Sequence, residues 1–171
     1  MTEPTAVYYG QVELIPNIFC DGYVLDDGTA VLSERGTADL LNMDQKTLQA
    51  MRGNWPPKLL NTFIDKDFIM RGNMIKVTAN NSPYQGRDIV VYDAATIENL
   101  IRVYLLGFGH RKLKQNQIHI GERCAILSAS LIRTALETAI KQACGFKPDI
   151  QQAAQKNYID VVKLVKEHGL K

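Results

Sequence analysis

The chain has 171 residues, of which 46% are hydrophobic and 22% charged; this composition suits one globular domain and excludes a disordered chain. Its purely apolar runs are a few residues long, far below the ~20 that a membrane-spanning helix needs. The formal net charge of +2 conceals an asymmetry, because residues 1–50 carry eight acidic and two basic side chains, whereas residues 51–171 carry ten acidic and eighteen basic ones. The basic part favours an anionic partner, unless the acidic part neutralises its neighbour.

The N-terminal segment predicts one β-hairpin after an irregular lead-in. Residues 1–21 contain a few apolar side chains that Pro16 interrupts, so we expect an edge strand or an arm packed on the domain. Residues 22–32 place β-forming side chains on both sides of Asp27-Gly28. An Asp-Gly pair supplies the positive φ angles of a tight turn, which makes this hairpin the clearest local signal in the chain.

Short helices follow the hairpin. Ser33 is a candidate N-cap for a helix that ends near residue 42, and Asp44 is a candidate N-cap for a second helix that ends at residues 53–54. The apolar residues between positions 59 and 69 are expected to form short helical turns on the core.

The middle of the chain predicts a second hairpin and a helix. Residues 73–79 alternate apolar and polar side chains, and residues 88–92 form a short apolar run after a loop. Asp93 is a strong N-cap candidate for a helix over residues 94–106 with apolar side chains at helical spacing. A short basic connector, residues 110–114, separates this helix from the next.

One long helix is predicted over residues 115–144, softened at Gly121, and it has two apolar stripes. The first stripe is Ile120, Cys124, Leu127 and Leu131, and the second is Ala125, Ala129, Ile132, Leu136, Ile140 and Ala143. Two stripes indicate burial on two sides, so we expect Leu127, Leu131, Ile132 and Leu136 in the core. Because one small domain does not readily cover both sides of a helix, the stripes also predict a homodimer or a larger assembly.

These elements together predict an α+β fold, with two short β-hairpins packed with several helices around the long one. Residues 1–147 are expected to form this domain. Residues 148–171 are expected to be a helical tail of two short amphipathic helices, over residues 149–156 and 158–168.

Cysteine use and the N-terminus predict a cytoplasmic protein. The three cysteines, Cys20, Cys124 and Cys144, are an odd number with no CxxC spacing, which disfavours a zinc site and disulfides. Reduced thiols suit the cytoplasm. The first residues have no basic segment followed by an apolar one, so no signal peptide is expected.

The sequence offers little to support catalysis. Its three histidines have no carboxylate or cysteine at metal-ligand spacing, and Asp65 and Asp67 would not face each other on a helix. Residues 107–109 (GFG) lack the third glycine of a dinucleotide loop and follow a helix rather than a strand. We therefore expect no catalytic residue, no metal and no cofactor.

The candidate binding residues are basic. Arg111, Lys112 and Lys114 form the densest basic cluster in the chain and precede a long helix, which suits the neutralisation of nucleic-acid phosphates. Arg87 lies on the loop of the second hairpin, a position like that of a wing on DNA. In both places the alternative interpretation is a solvated polar loop.

Four segments, taken in order, resemble a phage-associated family. They are residues 22–36 (GYVLDDGTAVLSERG), 60–67 (LNTFIDKD), 92–105 (YDAATIENLIRVYL) and 117–127 (QIHIGERCAIL) followed by 135–146. They are similar to the phage Mx-eight p-sixty-three C-terminal domain, which is found in proteins of phages, prophages and mobile elements that are often labelled antirepressor-like.

The resemblance covers about residues 22–146 and has two departures. The last block reads KQACGF where the family has an acidic stretch before the aromatic residue, and the longer C-terminal region of the family is missing or replaced. Residues 153–169 are instead similar to one ankyrin helix pair, which cannot bury its own apolar face and would dock on the domain or on a partner.

The functional prediction is a non-enzymatic regulatory protein of a phage or mobile element that binds DNA through basic helix and loop residues. The alternative is a protein-interaction module, an antirepressor or inhibitor that sequesters a host or phage protein. DNA binding predicts an affinity that falls steeply with salt, whereas an interaction module predicts an exposed apolar patch. A metal-independent hydrolase ranks below both.

Overall fold

The computed structural model describes residues 3–168, apart from the side chain of Leu59. Residues 1, 2 and 169–171, which include the end of the predicted tail, lie outside the described residues. The strands are β1 (Thr5–Ile15), β2 (Ile18–Leu25), β3 (Ala30–Ser33), β4 (Asn73–Val77) and β5 (Asp88–Asp93). The α-helices are α1 (Glu34–Leu41), α2 (Gln45–Gly53), α3 (Ala94–Gly109), α4 (Ile118–Ala143) and α5 (Ile150–Glu167), with 3₁₀ turns at Lys58–Phe63 and Gln115–Gln117. The predicted α+β class is confirmed.

The strands close into a small barrel in the order β1-β2-β3-β5-β4. Closure comes from a short parallel pairing of β1 with β4, in which Thr5 faces Lys76 and Ala6 faces Val77. The other neighbours are antiparallel. The barrel interior is an apolar cluster formed by Ala6, Tyr23, Leu25, Val31, Ile75, Val77, Ala79 and Val91.

Residues 1–21 contain more structure than the predicted lead-in. β1 pairs with β2 as a hairpin, and Pro16 lies at its turn, where Asn17 has a φ of 67° and its amide donates to Glu13 Oε2 at 2.7 Å. The pairing shifts register between Ala6 and Tyr8 and again further along the hairpin. These irregularities break the period-two alternation of apolar side chains, so the strand has no clean sequence pattern.

The two predicted hairpins and their following helix caps are confirmed. Gly28 has a φ of 89° in the β2–β3 turn, and β4 pairs with β5. The Ser33 hydroxyl accepts from the Gly36 amide at 3.0 Å, and Asp93 Oδ1 accepts from the Thr96 amide at 2.8 Å. These side chains satisfy amides that have no partner within the helix.

The larger core lies between the barrel and the helices. α4 contributes its first stripe to this core through Ile120, Cys124 and Leu127, which are buried. The helix is continuous from Ile118, so the expected softening at Gly121 is wrong.

The core prediction for α4 is half wrong. Leu127 is fully buried and Leu131 packs half-buried on the core, but Ile132 and Leu136 are 60% and 61% exposed. The second buried face of α4 consists instead of Ser130, Thr134 and Thr138, whose hydroxyls donate to helix carbonyls one turn back. Helices often hide hydroxyl side chains in this way, because the backbone satisfies them.

α5 packs on this hydroxyl face as one helix, so the predicted break into two short helices is wrong. Asn157, at the expected break, is buried, and its Nδ2 donates to Thr134 Oγ1 at 3.0 Å. Gln155 Nε2 donates to the Glu13 carbonyl at 3.0 Å, which ties α5 to β1. Within residues 3–168, none of the helices has both the length and the apolar character needed to cross a bilayer.

Candidate functional site

The basic connector begins with a tight helix end. His110 ends α3, and the amides of Arg111 and Lys112 donate back to the carbonyls of Phe108 and Gly107 at 3.2 and 2.8 Å. This is the hydrogen-bond pattern of a Schellman motif, whose turning residue is usually glycine because it takes a left-handed conformation. Here Arg111 takes that position, with a φ of 55°.

Leu113 packs against α3 and α4 and so anchors the connector. A Cβ placed on Gly107 would lie 2.9 Å from a Leu113 methyl, and one placed on Gly121 would lie 2.5 Å from the other. The same Cβ on Gly121 would meet Phe108 Cβ at 2.8 Å. The glycines therefore let α3, α4 and Leu113 pack closely, which fixes the basic side chains on either side of Leu113 at the surface.

The structure brings three of the four predicted binding residues together on this connector. Arg111, Lys112 and Lys114 are exposed, and none of them has an ion-pair partner among residues 3–168. The Lys114 amide donates to Gln117 Oε1 at 3.1 Å, which orders the entry into α4. The connector is thus an ordered loop that presents three unpaired positive charges.

A cationic cleft adjoins the connector. The imidazole of His110 stacks on Phe63 with ring centres 5.2 Å apart, and Phe63 ends the 3₁₀ turn that lines the cleft. The cleft has a volume of about 810 Å³ and is lined by Lys58, Lys66 and Arg52, with Asp65 as the acidic residue among them. The stack of His110 on Phe63 joins the connector to the 3₁₀ turn beside the cleft.

A buried carboxylate lies behind this cleft. Glu34 accepts from Arg52 at 2.9 Å, from the Tyr92 hydroxyl at 2.5 Å and from Gln49 Nε2 at 3.0 Å. Burial and the hydrogen bond that its hydroxyl donates to Glu34 raise the pKa of Tyr92. Because both Glu34 oxygens are engaged by donors, the group stabilises the packing of α1, α2 and β5 and offers no free base.

Arg87 lies apart from the connector. It is exposed on the β4–β5 loop, where its carbonyl accepts from the Val77 amide at 2.9 Å. That loop packs on the barrel, since the Tyr23 and Ser82 hydroxyls lie 3.1 Å apart and Asn81 Nδ2 donates to the Tyr9 carbonyl. In the described part of the chain, no hydrogen bond or ion pair links Arg87 to residues 110–114. Arg87 therefore lies on the hairpin loop that packs on the barrel.

The thiols and the histidines do not form a reactive cluster. Among residues 3–168, no three His, Cys, Asp or Glu side chains lie close enough to hold a metal ion. Burial raises the pKa of the Cys20 thiol to about 11 and that of Cys124 to about 12, whereas Cys144 is exposed. Both buried thiols are protonated at neutral pH and behave as small apolar side chains.

An apolar groove crosses the outside of the barrel. Its floor is the outer face of β1–β3, its walls come from α3 and α4, and its volume is about 810 Å³. The apolar side chains of the groove include Tyr8, Val12, Val24, Leu32, Ile97, Ile101, Leu131 and Ile132. No local sequence pattern indicates this groove, because its floor is shared by three strands and depends on the register of β1.

An apolar ridge on α4 continues from the groove. We define the ridge as Ile132, Leu136 and Ile140, which are 60%, 61% and 63% exposed. Ala129, Ala135, Ala139 and Ala143 are also exposed and flank the ridge. Ile132 belongs to both features, since it also lines the groove. The second apolar stripe in the sequence is thus present as a continuous surface that no residue among 3–168 covers.

Comparison with known proteins finds no matching family model, no similar curated protein and no similar solved structure. The resemblance to the phage-associated family therefore stays a prediction, and the function has to be argued from the connector, the cleft and the apolar surface.

Proposed function

We propose that this protein is a non-enzymatic regulatory protein that binds DNA through the connector at residues 110–114. The observation that carries the proposal is the exposure of Arg111, Lys112 and Lys114, three cations within four residues and without ion-pair partners in the described part of the chain. Side chains of this kind gain affinity for DNA by releasing counterions from its phosphates. Lys58 and Lys66 in the adjoining cleft supply further positive charge.

The biological setting of the proposal comes from the sequence. The four segments that resemble the phage Mx-eight p-sixty-three C-terminal domain support a role in a phage, a prophage or another mobile element. The absence of disulfides among Cys20, Cys124 and Cys144 supports a cytoplasmic location. Both statements belong to the proposal.

The test is a comparison of salt dependence between two triple variants. Replacing Arg111, Lys112 and Lys114 by alanine should weaken the binding of specific and random duplexes alike, because phosphate contacts carry no sequence information. The slope of log K against log salt should flatten by up to ~2.7, at about 0.9 per lost contact. The matched control replaces Lys156, Lys163 and Lys166, three exposed lysines of α5, by alanine. The control removes the same net charge but should leave most of the slope intact.

Two outcomes would count against this proposal. If the wild type shows no duplex binding at ~50 mM salt, the DNA-binding function is wrong. If the connector variant keeps the wild-type slope while the wild type binds, the site lies elsewhere, and Arg87 is the next residue to replace. Circular dichroism of each variant should match the wild type, because all six positions are exposed.

The apolar surface favours a second candidate function, a protein-interaction module that acts as an antirepressor or inhibitor. The groove and the ridge bring many apolar side chains together in one surface patch, whereas a monomer normally exposes such side chains singly. Such a module would hold its partner at ~1 M salt, where DNA contacts by the connector would be lost. Replacing Leu136 by glutamate would abolish that contact and leave DNA binding unchanged.

A further inference from the structure

We infer that the cleft at Lys58 and Lys66 binds a nucleotide with an unpaired base, holding its phosphate on the cations of the lining and its base against the aromatic side chains. The inference uses the cleft alone, and it does not rest on the binding of duplex DNA by the connector.

Arg52 is fixed in position where it lines the cleft. Its Nη1 lies 2.9 Å from the buried Glu34 carboxylate, and its side chain is still 29% exposed. A Cβ placed on Gly72 would lie 2.5 Å from the same nitrogen, so the missing side chain at position 72 leaves room for the guanidinium. A guanidinium has five N–H donors, and a group held in this way can direct its remaining donors at the oxygens of a phosphate.

Two lysines make the cleft suitable for an anion. Lys58 and Lys66 are exposed, and neither has an ion-pair partner among residues 3–168. Asp65 is the acidic residue of the lining. Even if Glu34 offsets Arg52 and Asp65 offsets one lysine, the lining keeps a positive charge, which favours a ligand that carries a phosphate.

The same cleft offers aromatic surface. Trp55 and Phe68 both line it, with ring centres 5.5 Å apart in an edge-to-face arrangement. The Trp55 Nε1 donates to the Phe68 carbonyl at 3.2 Å, which fixes the indole in place. Bases of any sequence gain affinity by stacking on aromatic side chains, so a planar base suits this lining.

Polar side chains and size favour a nucleotide over other aromatic anions. Asn61 and Thr62 line the cleft and are exposed. An asparagine amide both donates and accepts hydrogen bonds, as the edges of bases do. The volume of about 810 Å³ lies within the range of small-molecule sites. Because duplex bases are stacked and paired, the ligand is a free nucleotide or an unpaired nucleotide of a strand.

The single tryptophan of the chain provides a direct test, since Trp55 lines the cleft. Adenosine monophosphate should change its fluorescence along a saturating curve, with a dissociation constant on the order of 10–1,000 µM that calorimetry should reproduce. Adenosine lacks the phosphate and inorganic phosphate lacks the base, so each should bind at least ~10-fold more weakly.

Variants of the lining test the assignment of each part by calorimetry. Replacing Lys58 and Lys66 by alanine should weaken the binding of adenosine monophosphate at least ~10-fold. The matched control replaces Lys156 and Lys163, exposed lysines of α5 outside the cleft, and should keep the wild-type affinity. Trp55→Leu should weaken binding by about 5–100-fold, because the base loses its stacking partner. Circular dichroism establishes that each variant is folded, and the lysine comparison decides if Trp55→Leu is not.

A single-stranded oligodeoxyadenylate of about eight nucleotides distinguishes the two sources of the ligand. Binding at least ~10-fold tighter than that of the mononucleotide, and lost with the two cleft lysines, would support a strand as the source. Equal affinity would support the free nucleotide.

Four results would overturn the inference. They are no fluorescence change and no heat with adenosine monophosphate at ~5 mM, adenosine binding as tightly as its monophosphate, an unchanged affinity in the variant that lacks Lys58 and Lys66, and loss of mononucleotide binding when Arg111, Lys112 and Lys114 are replaced instead. The last result would place the nucleotide on the connector. A failure of duplex binding in the wild type would count against the proposed function and leave this inference standing.

Discussion

Arg111 combines a backbone strain with an exposed charge. Non-glycine residues take positive φ angles rarely, and doing so costs of the order of 1 kcal/mol or more. Arg111, which follows α3, has a φ of 55° and bears that cost, although glycine is the usual residue at this turn. Strained residues concentrate at functional positions, which is consistent with a role for this guanidinium in binding.

Replacing Arg111 by glycine should separate stability from binding. The relief of strain exceeds the extra chain entropy of glycine in the unfolded state, so the free energy of unfolding should rise by about 0.5–1 kcal/mol. One phosphate contact would be lost, and the salt slope of DNA binding should flatten by about 0.9. Urea unfolding and binding titrations measure the two effects. Arg111→Lys is the control, because it keeps both the charge and the strain; a glycine variant less stable than this control would contradict the account of the turn.

At the scale of elements, α4 presents three faces with different partners. The Leu127 face meets the core, the Thr134 face meets α5, and the Leu136 face is exposed. The apolar side chains of α4 therefore do not form a single stripe. Side chains on its three faces contribute very different amounts to the free energy of unfolding.

Alanine replacements on two faces of α4 should show this difference. Leu127→Ala removes a fully buried side chain and should lower the free energy of unfolding by about 2–5 kcal/mol, because the core cannot collapse fully around the cavity. Ile132→Ala should change it by less than ~0.5 kcal/mol when measured at a concentration where the chain is monomeric. Urea unfolding followed by circular dichroism measures both. Similar losses at the two positions would mean that the faces of α4 are assigned incorrectly.

Patterns among neighbouring residues predicted most of the helices and strands. The features that they did not predict depend on pairing between residues far apart in the sequence. Turn and cap chemistry identified the hairpin at Gly28 and the helix starts at Ser33 and Asp93, because each depends on residues a few positions apart. The pairing of β1 with β4 joins Ala6 to Val77 across some seventy positions and leaves no local pattern. The two stripes of α4 were visible, but helical spacing alone does not distinguish a buried stripe from an exposed one.

The candidate site also has a part that was predicted from neighbouring residues and a part that only the fold assembles. The sequence predicted the connector residues Arg111, Lys112 and Lys114, because they are adjacent in the chain. It also placed Arg87 separately, on the loop of the second hairpin, which is where the structure has it. The cleft at Lys58 and the groove were not predicted, since each is assembled from segments far apart in sequence.

At the scale of the whole molecule, charge follows the architecture. Residues 3–33, which include the first three strands, carry acidic side chains and no basic one, and the cations lie in the rest of the chain. The connector at residues 110–114 lies outside both the groove and the ridge. A protein partner on the apolar surface would therefore leave the connector accessible to DNA.

The stability of the whole fold should fall at alkaline pH. Burial raises the pKa of Cys20 from 9.0 to about 11 and that of Cys124 from 9.0 to about 12, so the folded protein holds protons that the unfolded chain releases. Their contribution is fully present below pH ~9 and is lost as the pH rises through the folded values, at about 1.4 kcal/mol per pH unit for each thiol. The urea midpoint should therefore be flat from pH ~7 to ~8.5 and decline from pH ~9 upward.

Thiol variants test whether these two cysteines cause the alkaline decline. Cys20→Ala and Cys124→Ala should each be less stable at pH ~7, because a buried side chain is shortened, yet lose less stability than the wild type between pH ~9 and ~11. Cys144→Ala is the matched control, since that thiol is exposed and its removal should leave the whole pH curve unchanged. A part of the decline should persist in every variant, because burial also raises the pKa of Tyr104 and, together with the bond to Asp21, that of Tyr9. A decline as steep in both buried-thiol variants as in the wild type would show that the thiols are not its source.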